Sequence, residues 1–311
     1  MRVSVVICLH TMDRFDDFVE AVESVRAQTY DDVELVLVSD GSEAVCERFH
    51  EDWGSRSDVT VYCNGENVGL LESRNNGAQA ATGDVVAFMD DDALADEQWI
   101  EELVSVYREQ DVVAAGGRMT PAWVAGKPTF LPAEFYWLVG VTNRGFGPDG
   151  DETQAGVVRN TFGSNISFQR DIFLELGGFE SEIGGRKGDK NLQGGETELC
   201  ARLRAEYDRG VYYNPDARVA HKVFDYRTEP KWLLDRAFWQ GYSKRGMEVL
   251  VPESSGAESD FLKHLGTEHA PARLKELVTN PTLVSLLQLV MLFVFTGVVG
   301  LGYLYGIYRW R

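Results

Sequence analysis

Between Val3 and Met89 the chain alternates short apolar, β-branched runs with segments of helical spacing, a pattern that few folds accommodate. Val3-Ser4-Val5-Val6-Ile7-Cys8-Leu9 reads as a buried strand, and Phe15 to Gln28 as a helix with Phe18, Val22 and Val25 on one face. Val33 to Val38 and Val59 to Tyr62 read as further strands, Leu71 to Ala81 as a helix closed by Gly83, and Val85 to Met89 as a fourth strand. Runs without polar alternation belong to strands covered on both faces. The expected class is therefore α/β, a Rossmann-like, mostly parallel sheet with helices on both faces.

The later pattern is less regular. Trp99 to Glu109 has the spacing of an amphipathic helix, and Val112 to Gly117 reads as a strand. Pro121 to Gln154 is rich in Gly, Pro and aromatic residues and is expected to be a loop-rich surface. Phe162 to Phe168 returns to strand, Ile172 to Leu176 is a short helix, Glu196 to Glu206 a longer one, and Val211 to Tyr213 a last strand. Ala217 to Val223 carries His221, and Lys231 to Arg245 is helical, with Trp232, Phe238, Trp239 and Tyr242.

The fourth strand ends in Asp90-Asp91-Asp92. Three adjacent carboxylates repel one another, so ionising all of them in one place is costly without a bound cation. Hard oxygen donors suit Mg²⁺ or Mn²⁺, which commonly bridge substrate phosphates. The plainer alternative is an acidic turn capping the next helix. A parallel sheet gathers its carboxyl ends in one crevice. That would bring Asp90, Asp91 and Asp92 near the polar clusters Thr11 to Arg14 and Asp40 to Ser42, with Glu196 at a helix start. Asp40 could accept from a base N–H, Gly41 would let a ligand approach the backbone, and Arg74 could reach a phosphate. No P-loop is present and no GxGxxG opens the first helix, so Walker ATPases and dinucleotide oxidoreductases are excluded.

Net charge is −19, which argues against a nucleic-acid partner. A surface this acidic suits high salt, where repulsion is screened, and points to a halophilic source. Cys8, Cys46, Cys63 and Cys200 form no CxxC pair; two or three of them are expected to be buried thiols, and a reducing compartment is the simplest reading. Met1-Arg2-Val3-Ser4 enters a strand at once, and no secretory signal is expected.

From Leu277 to Tyr308 no residue is charged. Leu283 to Tyr308 is long enough to cross a bilayer of about 30 Å, with Tyr303, Tyr305, Tyr308 and Trp310 as an aromatic belt. The alternative is a buried core helix. Arg273 and Lys275 before the run nearly balance Arg309 and Arg311 after it, so orientation is weakly signalled.

The series VSVVICLHTMDR, AQTYDDVELVLVSDGS, NVGLLESRNNGAQAATGDVVAFMDDDA, GSNISFQRDIFLELGGF and GGETELCARL resembles the family 2 inverting glycosyltransferases with the GT-A fold, over about residues 1 to 225. The resemblance implies a nucleotide-sugar site. Thr11 and Asp13 match the family's first-strand polar pair, Asp40 its base-binding Asp, Arg74 its phosphate-side Arg, and Asp90, Asp91 and Asp92 its DxD, with Asp90 and Asp92 on Mn²⁺ or Mg²⁺. The family's catalytic base is the Asp of a Glu-Asp pair. Here Glu196 stands in that place and the pair is broken, with Glu198 as the fallback. His221 is either a further metal ligand or second-shell donor, or a structural histidine.

Three segments are expected: a GT-A domain over 1–225, a helical linker over 226–280 and a transmembrane helix over 281–308. The implied reaction moves a hexose or hexuronic acid from a UDP-sugar to a polyisoprenyl-phosphate-linked glycan at the cell membrane, with the catalytic domain cytoplasmic. Acidity together with this architecture resembles archaeal enzymes that extend dolichol-phosphate glycans for protein N-glycosylation. The alternatives are a polyprenyl-phosphate hexose synthase, an exopolysaccharide transferase, and a non-catalytic nucleotide-sugar-binding subunit.

Overall fold

The structure, a computed structural model, describes every residue except Gly185, Gly188, Asp189, 253–256 and Arg311. The first elements are β1 (Val3–Leu9), α1 (Phe15–Arg26), β2 (Val33–Asp40), α2 (Glu43–Trp53), β3 (Val59–Asn64), α3 (Leu70–Ala80) and β4 (Val85–Met89). There follow β5 (Ala93–Ala95), α4 (Trp99–Glu109), β6 (Ala114–Trp123), β7 (Gly156–Val158), β8 (Ile166–Gln169) and α5 (Arg170–Glu175). A two-stranded hairpin, β9 (Arg186–Lys187) and β10 (Lys190–Asn191), precedes α6 (Gly195–Tyr207) and β11 (Val211–Val223). The chain ends in α7 (Pro230–Leu250), α8 (Ala257–His264), α9 (Ala270–Thr279) and α10 (Leu283–Arg309).

The chain forms two compact units. The first comprises Met1–Ala122, Gly147–Gly184 and Gly195–Lys222. The second comprises Trp123–Phe146, Gly185–Gly194 and Val223–Arg311. Two segments earlier than Val223 thus group with the C-terminal unit. The helical linker expected over 226–280 includes 253–256, which lie outside the described residues.

The first unit is built on one sheet of order β3-β2-β1-β4-β8-β6-β11-β5, with β7 on β11. β1 runs parallel to β2 and β4, and β2 parallel to β3. Beyond β4 the pairs β4–β8, β6–β8, β11–β5 and β11–β7 are antiparallel. The parallel run β3-β2-β1-β4 therefore gives way to antiparallel pairing at β8. A parallel neighbour needs a crossover, usually a helix, and the stretch between β6 and β8 holds only 3-10 turns and β7.

β1 through β4 are buried along nearly their whole length except β3, the edge strand. On one face Val6, Val36, Val86, Phe88 and Phe168 form a core with α3. Gly77 lets α3 sit close: a Cβ there would lie 2.5 Å from Val6 Cγ1. On α1 and α2, Phe18 stacks on Phe49 at 4.6 Å between ring centres, with Trp53 edge-on. α2 had no counterpart in the sequence reading. Its apolar positions Val45, Phe49 and Trp53 are four apart and bury one stripe, and Ser42 caps its start.

The cysteines also differ from expectation. Cys46 and Cys63 form a disulfide, their Cα atoms 5.8 Å apart, because α2 packs against β3 and turns Cys46 toward it. Cys8 and Cys200 are buried thiols, and burial pushes Cys8 up to about 12.

In the second unit α10 carries a capping box at its start, Thr282 Oγ1 accepting from Ser285 N–H while Ser285 Oγ accepts from Thr282 N–H. A buried ion pair joins Glu134 to Arg273 at 2.6 Å, and the Phe135 ring meets Phe261 and Phe295. α7 runs from Pro230 to Leu250, longer than the sequence spacing implied, and buries Leu233, Ala237, Gly241 and Tyr242.

Candidate active site

β1 lies between β2 and β4, so strand order reverses at β1, where an open α/β sheet forms its ligand crevice. Three of the singled-out clusters lie at the carboxyl ends of β1, β2 and β4. After β1, Thr11 Oγ1 accepts from the Asp13 N–H at 3.3 Å, which starts a 3-10 turn and leaves Asp13 exposed on it. Arg14, at the end of that turn, reaches Asp92 Oδ2 at 3.0 Å. The sequence reading placed Arg14 in the first cluster without pairing it to the acidic strand end. Nothing in local sequence joins residues 78 positions apart.

After β2, Asp40 is buried and already occupied. Its Oδ1 accepts from Val68 N–H at 2.8 Å and its Oδ2 from Gly69 N–H at 3.1 Å, which fixes the loop leading into α3. Asn64 Nδ2 also donates to Oδ1 at 3.2 Å, so only Oδ2 keeps a lone pair with which to accept from a ligand. Gly41 has φ +72°, and a side chain there would collide with the backbone of Glu66 and Asn67. It admits that loop; the close approach expected of a ligand is made by the protein itself.

After β4 the three acids separate by role. Asp90 donates its backbone N–H to Ser164 Oγ at 2.9 Å. Asp92 is buried, and its Oδ1 lies 3.2 Å from His221 Nε2. The register of β11 on β5 sets His221 opposite Ala93, directly after Asp92. Asp91 is pushed up to about 7 by its burial and by the neighbouring charges of Asp92 and Asp90. Asp90, Asp92 and His221 each offer one ligand atom within 4.8 Å of the others. Two carboxylates and an imidazole form a donor set of the kind that holds a divalent cation.

Arg74, on α3, is buried and ties two acids together. Its Nη2 donates to Asp90 Oδ1 at 2.6 Å and its Nη1 to Glu196 Oε1 at 3.2 Å. Burial opposes its charge, but Asp90 and Glu196 hold the guanidinium more firmly protonated than usual. Gly163 makes room for the pair: a Cβ there would sit 2.7 Å from Arg74 Nη1 and 2.9 Å from Glu196 Cδ. Neither Gly163 nor Ser164 was singled out as a site residue, although both stand in the GSNISF stretch.

Glu196 and Glu198, both in the first turn of α6, have different partners. Glu198 is buried against Arg202, with Nη2 to Oε2 at 2.7 Å, and Arg202 also donates to Gly178 O at 2.6 Å. That pair anchors α6 to the turn after α5. Glu196 keeps 26% of its side chain exposed beside the arginine that holds Asp90.

The site thus gathers two carboxylates and an imidazole, the partly exposed Glu196, and an arginine bridging Asp90 and Glu196 at the end of a doubly wound sheet. Residues 4–177 match the profile of Glycosyl transferase family 2. The chain belongs to glycosyl transferase family 2. Over 308 residues it is 51% identical to a glucosyl-dolichyl phosphate glucuronosyltransferase of Haloferax volcanii, covering 99% of this chain and 96% of the relative. It is 27% identical over 210 residues to the pre-mycofactocin glycosyltransferase of Mycobacterium tuberculosis, covering 67% of this chain and 41% of the relative. Among solved structures, the mannosyltransferase PcManGT of Pyrobaculum calidifontis, in complex with GDP-Man and Mn²⁺, aligns with TM-score 0.57 and 16% identity over 98% of this chain and 87% of its own. GalNAc-T7 with UDP, GalNAc and Mn²⁺ aligns with TM-score 0.56 and 18% identity over 80% of this chain and 48% of its own. This family 2 glycosyltransferase therefore has the GT-A fold, with an apolar C-terminal helix long enough to cross a membrane.

Proposed function

We propose that this enzyme transfers a hexuronosyl unit from a UDP-sugar to a sugar carried on dolichyl phosphate, in a metal-dependent inverting reaction that serves protein N-glycosylation. The observation that carries the reaction class is the chain of contacts Asp90–Arg74–Glu196, which sets a partly exposed carboxylate beside a metal-type cluster. The substrate class rests on the name of the Haloferax volcanii relative.

Asp90, Asp92 and His221 would hold Mn²⁺, which when bound would neutralise a diphosphate leaving group. Glu196 takes the proton of an acceptor hydroxyl as that oxygen bonds to the anomeric carbon and the bond to the UDP oxygen breaks. A single displacement inverts the centre. Of the five N–H donors of Arg74, two serve Asp90 and Glu196, which leaves others for a donor phosphate. Asp40 would accept from the base, and Thr11 and Asp13 would flank the nucleotide. α10 would hold the enzyme at the membrane, with the sheet unit on the cytoplasmic side where nucleotide sugars are made.

The test is transfer from a panel of labelled UDP-sugars to glucosyl-dolichyl phosphate in molar salt with Mn²⁺, with Asp92→Ala as control. Label entering the lipid phase from UDP-glucuronic acid, and absent in the control, is the expected result. Transfer to bare dolichyl phosphate would instead identify a first-sugar synthase, and donor binding without any transfer a binding subunit. The same assay repeated at low salt tests the halophilic reading, which predicts loss of activity there.

A further inference from the structure

α10 is two-faced in a way its composition hides. Leu286, Val290, Phe293, Leu301, Leu304 and Tyr308 recur at helical spacing and are exposed. On the opposite side Ser285, Leu292, Phe295, Gly302 and Gly306 are buried. That buried side lies along α7. Gly302 faces Phe238, a Cβ on Gly306 would stand 3.3 Å from Tyr242 O, and Trp310 lies 2.9 Å from the place of a Cβ on Gly246. Contacts therefore advance together along both helices from Phe238–Gly302 to Gly246–Trp310, so the two helices run parallel over about two turns.

Val299 in turn lies against Gly241, so Asp235 and Lys231, six and ten residues earlier on α7, come level with roughly residues 289–299 of α10. These α10 positions fall in the middle of its 27 residues. A helix crossing the bilayer at full length would carry that part of α7 to the hydrocarbon midplane. Lys231 and Asp235 are exposed, so their charges would meet lipid. Charges at that depth are among the most costly groups a membrane protein can hold. By contrast, an in-plane helix puts its exposed apolar stripe into the acyl boundary and leaves α7 on the aqueous side.

We infer that α10 lies in the plane of the membrane surface, gripping one leaflet with the stripe Leu286–Val290–Phe293–Leu301–Leu304–Tyr308, and does not cross. The inference rests on the reading of α10 as the membrane attachment.

The full-length protein, with an epitope tag at its C-terminus, is reconstituted into sealed vesicles of archaeal-type anionic lipid and treated with external protease. Vesicles are taken in which donor added outside is consumed, so the catalytic unit is external. The in-plane arrangement predicts that the tag is digested without detergent. A tag protected until detergent is added means that α10 crosses, and overturns the inference. Failure of the untagged wild-type chain to float with vesicles would remove the attachment itself, and the inference with it. As a second variant, Leu301→Glu with Leu304→Glu should shift most of the protein from the floating to the soluble fraction. Donor binding should persist, because the sheet unit is untouched; unchanged flotation would count against the stripe.

Discussion

Glu196 accepts from Arg74 Nη1 at 3.2 Å, and the same guanidinium holds Asp90 at 2.6 Å. Two carboxylates from distant parts of the chain therefore share one buried cation. Glu196→Gln should lower kcat by about 10²–10⁴-fold, the usual worth of a general base, with donor affinity nearly unchanged. Gly163→Ala should lower kcat in the same sense, because its methyl group enters the space of the pair. Steady-state kinetics together with donor titration by calorimetry checks both; an unchanged kcat in Glu196→Gln would move the base elsewhere.

The metal cluster makes a separable prediction. Chelation should abolish donor binding and Mn²⁺ should restore it. His221→Ala should weaken Mn²⁺ by at least about 10-fold, on the scale of losing one ligand or its orienting partner. Asp92→Asn should do more, since Asp92 also anchors Arg14. Mn²⁺ titration followed by electron paramagnetic resonance reads these affinities directly.

Glu34 gives a stability prediction with a defined pH window. It is buried in β2, where burial opposes its charge, but Ser4, Thr82 and Thr60 donate to it and hold its pKa below the ordinary glutamate value. A depressed folded-state pKa stabilises the fold above the unfolded value near pH 4.5, and that stability is lost as pH falls through the folded value. Glu34→Gln should cost about 1.5–3 kcal/mol at pH 7, the scale of charge-assisted hydrogen bonds, and much less at pH 3. Thermal melts of both proteins across pH 3–8 test this.

The Cys46–Cys63 bridge closes a short loop of sequence separation 17. Reduction should therefore cost about 3 kcal/mol by loop-entropy reasoning. Melting with and without a dithiol reductant, and in the Cys46→Ser, Cys63→Ser pair, measures it. Equal melting temperatures would show that the bridge constrains nothing the fold does not already hold.

Local sequence determined a good deal. The apolar runs at Val3–Leu9, Val33–Val38 and Val85–Met89 could bury only as central strands, because each lacks a polar face to give to water. Asp90 to Asp92 set three like charges at such a strand's end, where they call for positive partners, and Arg74 and Arg14 supply two. Trp99 to Glu109 carries a complete helical stripe and forms the helix expected of it. The tertiary structure alone decided the partnerships. His221 joins Asp92 only through the register of β11 on β5, which pairs residues far apart in the chain. Glu196 and Glu198 are chemically alike and two positions apart, yet Glu196 meets Arg74 and Glu198 meets Arg202. The disulfide required the packing of α2 on β3, and the two faces of α10 required α7, because an all-apolar run carries no period from which a buried side can be read.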